Sequence, residues 1–427
     1  MTPASWCGVS GHSASCSTNP GDCLVSTLAE AINGESPRHA ARALGGDRFV
    51  ITSVILAGLV LGGMVWQLGS LRLFWLFLIG GGLGVALYHA AFGFTAGWRN
   101  FIVRRRSRGL RAQLLLLGLA SVLFIPVIAG GQAAGAIAPV GTFVVVGSFL
   151  FGIGMQLGGG CGSGTLFTVG AGNRRMLITL IAFIAGSVLG TLHLPWWLSG
   201  PNLGPVDLAA ALDPLGGLLL QVALLLALGG VILAVERDRH GNVEPLLVAP
   251  GRSWLRTLVS GDWPLVWGVV ALAVLGLATL LLAGRPWGIT FAFAVWGAKA
   301  LSAIGVDMAQ FEYWTWAYPA RVLEQSVLLD ITSVMAFGLI LGAMLAAGLA
   351  GKFNAGSQNR LGIGNVSAAV IGGLCMGYGA RLAFGCNIGA FFSGIASGSL
   401  HGWVWFVFGF LGSIVGVALR PRFGMGN

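Results

Sequence analysis

Two cysteines in this chain occupy the same frame. Gly377–Phe392 reads GYGARLAFGCNIGAFF and Gly152–Phe167 reads GIGMQLGGGCGSGTLF, sharing G-x-G-x₅-G-C-x-x-G-x-x-F. The shared positions are Gly152, Gly154, Gly160, Cys161, Gly164 and Phe167 against Gly377, Gly379, Gly385, Cys386, Gly389 and Phe392, which marks an internal repeat. A cysteine in such a frame offers a polarizable sulfur and a weak S–H donor, suited to a sulfur-bearing ligand. As a thiolate it could also attack sulfane sulfur and carry a persulfide. A half-helix starting just after Gly160-Cys161 or Gly385-Cys386 would leave unpaired backbone N–H groups and a positive dipole end, both favourable to an anion. Glycine lets a ligand approach that backbone closely.

Two cations stand near these breaks. Arg381 lies five residues before Cys386 inside an apolar run, and Lys299 follows the short segment after Gly288. Charges in apolar spans are rare and usually functional. Arg381 reads equally as an anion-attracting residue and as a snorkelling or carbonyl-paired structural arginine. Lys299 could equally cap the C-terminus of its half-helix. A second repeat pairs Phe92-Gly93-Phe94-Thr95 with Trp287-Gly288-Ile289-Thr290, aromatic-Gly-apolar-Thr. Each copy precedes the Gly-Cys frame of its half. The third apolar-region cysteine, Cys375, sits in a plain span and reads as a small buried residue. Glu324 and Asp330 fall in the expected eighth span, where one could take a proton or pair with Arg321 or Lys299. His89, His193 and His401 fall near span ends, and most of the fifteen tryptophans read as interface anchors.

The elements that must position these residues follow from composition. Of 427 residues 56% are hydrophobic and 9% charged, whereas a soluble domain carries about 25% charged residues, so the fold class is an all-α polytopic membrane protein. The 70 glycines suit close helix packing and helices broken on purpose. Candidate spans are 49–66, 73–92, 111–129, 141–160, 176–197, 215–235, 263–283, 323–350, 363–384 and 402–419, about ten transmembrane helices. Four shorter pieces, after Phe92, Cys161, Trp287 and Cys386, read as re-entrant half-helices. The net charge of +10 is spread between spans and fits topology signals rather than nucleic-acid binding. Arginine groups before the first span, after the second, before the fifth, around 236–262, after the eighth and at the end all count to one side. That side is the cytoplasm by the positive-inside rule, with both termini inside.

The span count makes spans two to five and seven to ten two inverted repeats, with four broken helices meeting near the midplane, as many secondary transporters build a site. Residues 1–48 read as a disordered tail carrying Cys7, Cys16 and Cys23, with a short helix near Leu24–Ile32. The first membrane half is 49–235, the cytoplasmic linker 236–262 and the second half 263–427. No C-x-x-C is present, and no cofactor or metal is expected; the absence of a G-x-x-x-x-G-K-[ST] motif argues against an ATP-driven pump.

The chain resembles the YeeE/YedE family of sulfur-transport membrane proteins through FGFTAGWR, QLGGGCGSGTLFTVGAG, PWGITFAFAVWGAK and RLAFGCNIGAFFSGIASGSLHGW. The resemblance implies a bacterial inner-membrane importer of thiosulfate or a related reduced sulfur compound, whose pathway cysteines contact the ion in succession. Cys161 and Cys386 match two such cysteines. At Gly93 the chain departs, because the thiosulfate importers carry Cys in an F-C-[FL]-T setting. Members with the glycine pattern have been linked to selenium metabolism, so a selenium or other sulfur species stays open. The resemblance also implies a small cytosolic sulfurtransferase-type partner. The expected substrate-binding set is Cys161, Cys386, Gly160, Gly385, Gly93, Thr95, Gly288, Thr290, Arg381, Lys299 and Asn387, contacting a small sulfur-containing anion within membrane lipid. The alternative is a membrane sulfurtransferase that passes sulfane sulfur through a cysteine persulfide.

Overall fold

Inside a bilayer every backbone N–H and C=O needs an internal partner, and continuous helices meet that need. The computed structural model describes residues 46–249, 253–355 and 361–426. The tail with its three cysteines, and the short helix expected near Leu24, lie outside the described residues. Among the described residues ten helices are long and apolar enough to cross a membrane, which makes the chain an all-α polytopic membrane protein. In chain order the elements are α1 (Arg48–Leu68), α2 (Leu71–His89), the half-helix α3 (Phe94–Arg104), α4 (Arg108–Ala129), α5 (Thr142–Gly158), the half-helix α6 (Gly162–Gly170) and α7 (Arg174–Leu198). They continue as α8 (Pro214–His240), α9 (Leu265–Ala283), the half-helix α10 (Thr290–Ala303), α11 (Ile331–Leu349), α12 (Ile363–Leu382), α13 and α14 (Leu400–Leu419). The half-helix α13 is a π-helical stretch, Asn387–Phe392, continued by Ser393–Ala396.

Local chemistry sets several starts. Side chains of Asp47, Ser70, Asn173, Asp213 and Asp330 accept backbone N–H groups at the first turns of α1, α2, α7, α8 and α11. The last of these corrects the expected eighth span. It begins at Ile331 rather than near 323, because Asp330 caps it and Ser326 caps the preceding turn. Glu324 ends a separate short helix, Ala317–Glu324, and is not in the span.

Packing repeats with a simple exchange: α1 to α7 correspond in order to α8 to α14. Thus α7 packs on α12 as α14 packs on α5, and α2 on α11 as α9 on α4. Likewise α1 meets α11 as α8 meets α4, and α6 meets α11 as α13 meets α4. The contacts agree at the atomic level. A Cβ on Gly412 would lie 2.0 Å from Phe149 O, and one on Gly186 2.4 Å from Leu374 O. Cβ atoms on Gly154 and Gly379 would lie 2.7 Å from Gly372 O and 2.4 Å from Gly147 O. Each set holds five crossings, an odd number, so equivalent helices cross in opposite directions. Glycine is required along these seams because the backbones themselves touch.

The loops on one face carry the arginine groups. There Glu236, its side chain fully buried, pairs with Arg106 at 3.4 Å and accepts from Ser107 N and Glu244 N, tying the end of α8 to the loop after α3. On the other face, strands β1 (Pro139–Gly141) and β2 (Asn202–Pro205) pair antiparallel, and Leu208 N donates to Gly398 O. Trp98, Trp314 and Trp405 are fully buried in the helix core and are not interface anchors. Trp196 and Trp66 are largely exposed.

Candidate functional site

The four half-helices begin where the chain breaks inside the bundle. Gly93, Cys161 and Ile289 precede α3, α6 and α10 and make no side-chain cap bond. No side-chain cap of the usual kind therefore closes their first turns. Before α13, Cys386 Sγ accepts from Ile388 N at 3.4 Å. Cys161 Sγ is 3.4 Å from Ser163 Oγ. The breaks use left-handed residues. Gly159 has φ 93°, and the equivalent position in the second half is Phe384 at φ 56°, followed by Gly385 at φ 153°. A phenylalanine in that region is strained, and it is held by edge-on packing on Phe143 with ring centroids 5.7 Å apart.

The breaks open onto two vestibules. On the arginine-rich face a cavity of about 390 Å³ is lined by Gly93, Thr95, Gly160, Cys161, His89 and Lys352. On the opposite face a cavity of about 250 Å³ is lined by Gly288, Thr290, Gly385, Gly389, Arg285 and Arg381. The internal repeat relates them: Gly93, Thr95 and Gly160 in the first correspond to Gly288, Thr290 and Gly385 in the second. Cys386 is fully buried and lines neither. It stands against the start of α6, where a Cβ on Gly162 would lie 2.9 Å from its sulfur and 3.4 Å from Thr290 Cγ2.

Arg381 is 8% exposed. Its Nη1 donates to Tyr313 Oη at 3.3 Å and its Nη2 to Thr290 Oγ1 at 3.2 Å, while its guanidinium lies 5.9 Å from the Phe291 ring centroid. Among the described residues no carboxylate pairs with it, and its Nε has no partner. A second cation, Arg285, donates to Tyr318 Oη at 3.0 Å and sits 5.4 Å over that ring. Burial first, and Asp330 nearby, hold the Tyr318 phenol above its ordinary pKa against the pull of Arg285. Tyr318 thus stays a neutral donor to Asp330.

Lys299 stands apart from both vestibules. Its Nζ donates to the carbonyls of Leu323 and Gln325 at 2.6 and 2.5 Å, closing the C-terminus of Ala317–Glu324. Asp330 is spent on Thr332, on the N–H and hydroxyl of Ser333, and on Tyr318. Asn387, fully buried beside Cys386 in sequence, has neither amide atom partnered, and Thr95 Oγ1 is also unpaired. Gln156, which the sequence reading passed over, is fully buried; its Nε2 donates to Thr95 O at 3.3 Å and its Oε1 has no partner. The signal was available as a polar residue in an apolar run, five positions before Cys161.

Known proteins are similar to this chain in sequence. A probable transporter YedE of Escherichia coli (strain K12) is 33% identical over 164 residues, 38% of this chain and 39% of that protein. The matched stretch thus spans about two fifths of the YedE relatives' length. A thiosulfate transporter TsuA of Spirochaeta thermophila is 26% identical over 347 residues, covering 79% of this chain and 95% of the relative. The TsuA of Escherichia coli (strain K12) is 25% identical over 372 residues, covering 84% and 93%. The family model described as sulphur transport matches residues 89–415, from the end of α2 into α14, so both cysteine breaks and both vestibules fall within it and the chain belongs to the sulphur transport family.

Proposed function

We propose that the chain carries a small reduced-sulfur anion of the thiosulfate class across the cytoplasmic membrane, from the Arg381 vestibule past Cys386 and Cys161 to the opposite vestibule. The observation that carries this reading is the position of Cys386, sealed between two vestibules that the internal repeat relates. A neutral thiol donates a weak S–H bond and presents a polarizable sulfur, which suits a terminal sulfur anion better than a hard oxyanion. The uncapped starts of α3, α6 and α10 add backbone donors without adding a fixed charge. Gly93, Gly160, Gly288 and Gly385 leave that backbone open to the ion, and Thr95, Thr290 and Asn387 supply polar side chains. The names of the TsuA relatives support thiosulfate as the first anion to test.

The arginine distribution supports the arginine-rich face as cytoplasmic, with both termini inside and an inner-membrane location. A small sulfurtransferase-type protein receiving the ion would then meet that face. The test is uptake of ³⁵S-thiosulfate by cells that depend on this chain, with Cys161→Ala and Cys386→Ala alongside. Uptake dependent on the chain and lost in either variant is expected; wild-type uptake rates in both variants sink the cysteine pathway.

A further inference from the structure

A third compartment lies between α3 and the start of α4. It measures about 250 Å³ and is lined by Gly93, Gly97, Asn100, Arg108, Gly109 and Gln113, together with Arg106 and Glu244. Gly93 and Ala96 line both this space and the Cys161 vestibule, so the two adjoin, but no cysteine reaches the third. Along its wall α3 and α4 touch backbone to backbone, since a Cβ on Gly109 would lie 2.9 Å from Gly97 Cα. Two packed helices thus set its shape before any ligand arrives.

The charges around it do not cancel. Arg106 pairs with Glu236 and with Glu244, each at 3.4 Å, and Arg111 lies 3.7 Å from Glu236. Arg108 is left over: among the described residues no carboxylate pairs with it, and its buried Nε has no partner. Gln113 supplies a second free donor. It is 1% exposed, and its Oε1 accepts from Trp98 Nε1 at 2.7 Å. That bond fixes the amide's orientation, because an indole N–H can only donate. Its Nε2 is left beside Gly97, where a Cβ would come within 2.7 Å of it, and it donates to no protein atom among the described residues. Ser107 makes no side-chain cap bond at the start of α4, and Gly109 of that first turn lines the compartment. Guanidinium, amide and helix start therefore suit one kind of occupant, an anion that accepts hydrogen bonds at several oxygens.

We infer that this compartment is a separate oxyanion site, in which Arg108 and Gln113 hold a small tetrahedral dianion of the sulfate, phosphate or thiosulfate kind. The inference goes beyond the pathway proposed above, because it concerns binding behind α3 and requires no transport. The donors are N–H groups with no thiol among them, so the site reads oxygens rather than a terminal sulfur. Glu244, held by Arg106, opposes the anion and keeps its affinity modest.

Asn100 is exposed where it lines the compartment and offers a reporter. In the detergent-purified full chain carrying Asn100→Cys, the rate of N-ethylmaleimide modification at that position is read by peptide mapping, relative to a free thiol peptide in the same mixture. Sulfate should slow it saturably, as chloride at equal ionic strength does not. Adding Arg108→Gln should raise the half-protecting sulfate concentration about tenfold, with Arg108→Lys recovering part of the loss. Gln113→Glu keeps the acceptor for Trp98 Nε1 but replaces the free donor with a repelling oxygen, and should abolish protection; it carries the comparison if Arg108→Gln fails to fold. Thiosulfate protecting as well as sulfate makes the transported ion an occupant, whereas protection by sulfate alone assigns the site to a free oxyanion. Absence of sulfate protection, or protection unchanged in the folded variants, overturns the inference whatever the uptake measurements show.

Discussion

The sulfur of Cys386 rests on Gly162: a Cβ there would come within 2.9 Å of it. The first residue of one half-helix thus forms the wall against which the cysteine of the other break is held. In the register of the repeat, Gly162 corresponds to Asn387, so the two walls differ, one bare and one carrying a buried amide with both atoms unpaired.

Gly162→Ala should therefore close the narrowest part of the pathway without unfolding the protein. One methyl group placed against a sulfur and the Thr290 methyl costs about 1–3 kcal/mol of strain. Thermal melting in detergent should drop by a few degrees while ³⁵S-thiosulfate uptake falls to background. Uptake near the wild-type rate in a folded Gly162→Ala protein would show that the ion does not pass this point.

Gly93→Cys should be accommodated. The position has an ordinary φ of −105°, and a Cβ would meet nothing closer than Ala96 Cβ at 3.6 Å. Stability should stay within about 0.5 kcal/mol of wild type. The new thiol should be modified by a small polar maleimide, as read by peptide mapping, and thiosulfate should slow the modification. An unreactive Cys at 93 would mean that the vestibule does not admit polar solutes to this depth.

The glycine seam between α2 and α11 should be far less forgiving. A Cβ on Gly342 would stand 1.9 Å from Gly81 O. Gly342→Val must push two backbones apart, so loss of folded yield is expected, with a destabilisation of at least about 3 kcal/mol. Size-exclusion profiles of the detergent-solubilised variant provide the measurement.

Glu236→Gln tests the tie between α8 and the arginine-rich loop. The carboxylate serves Arg106 and Ser107 at once, from a fully buried position. Removing its charge should cost about 3 kcal/mol, because the donors stay buried with less to donate to. Hydrogen exchange of the 104–111 segment should rise well before that of the α5–α6 break; unchanged exchange there would show that the contact holds nothing.

The sequence carried the crossings and the breaks because both are written in local composition: apolar runs of span length, and glycine beside cysteine where they stop. What escaped it depended on contacts far along the chain. The eighth span looked long because Val327–Leu329 continues its hydropathy, yet the side chains of Ser326 and Asp330 take backbone N–H groups and restart the helix. Lys299 looked like a pathway cation, and only folding brings it to carbonyls 24 and 26 residues away. Trp98 and Trp405 face one another in the core, with ring centroids 6.1 Å apart, a placement hydropathy alone does not distinguish from an interface. Gln156 became conspicuous once its bond to Thr95 O and its unpartnered Oε1 were in view.

The five crossings in each set carry a consequence for ancestry. A five-crossing chain begins and ends on opposite sides of the membrane, so a tandem copy joined directly to it must insert upside down. Two separate copies of such a chain, inserted in opposite orientations, would make the same set of contacts that α1–α7 and α8–α14 make here. The joining of two such copies into one polypeptide would have freed each to diverge alone. A homodimeric ancestor with identical halves could have had no preferred side, and only after fusion could one break keep Gly162 where the other carries Asn387.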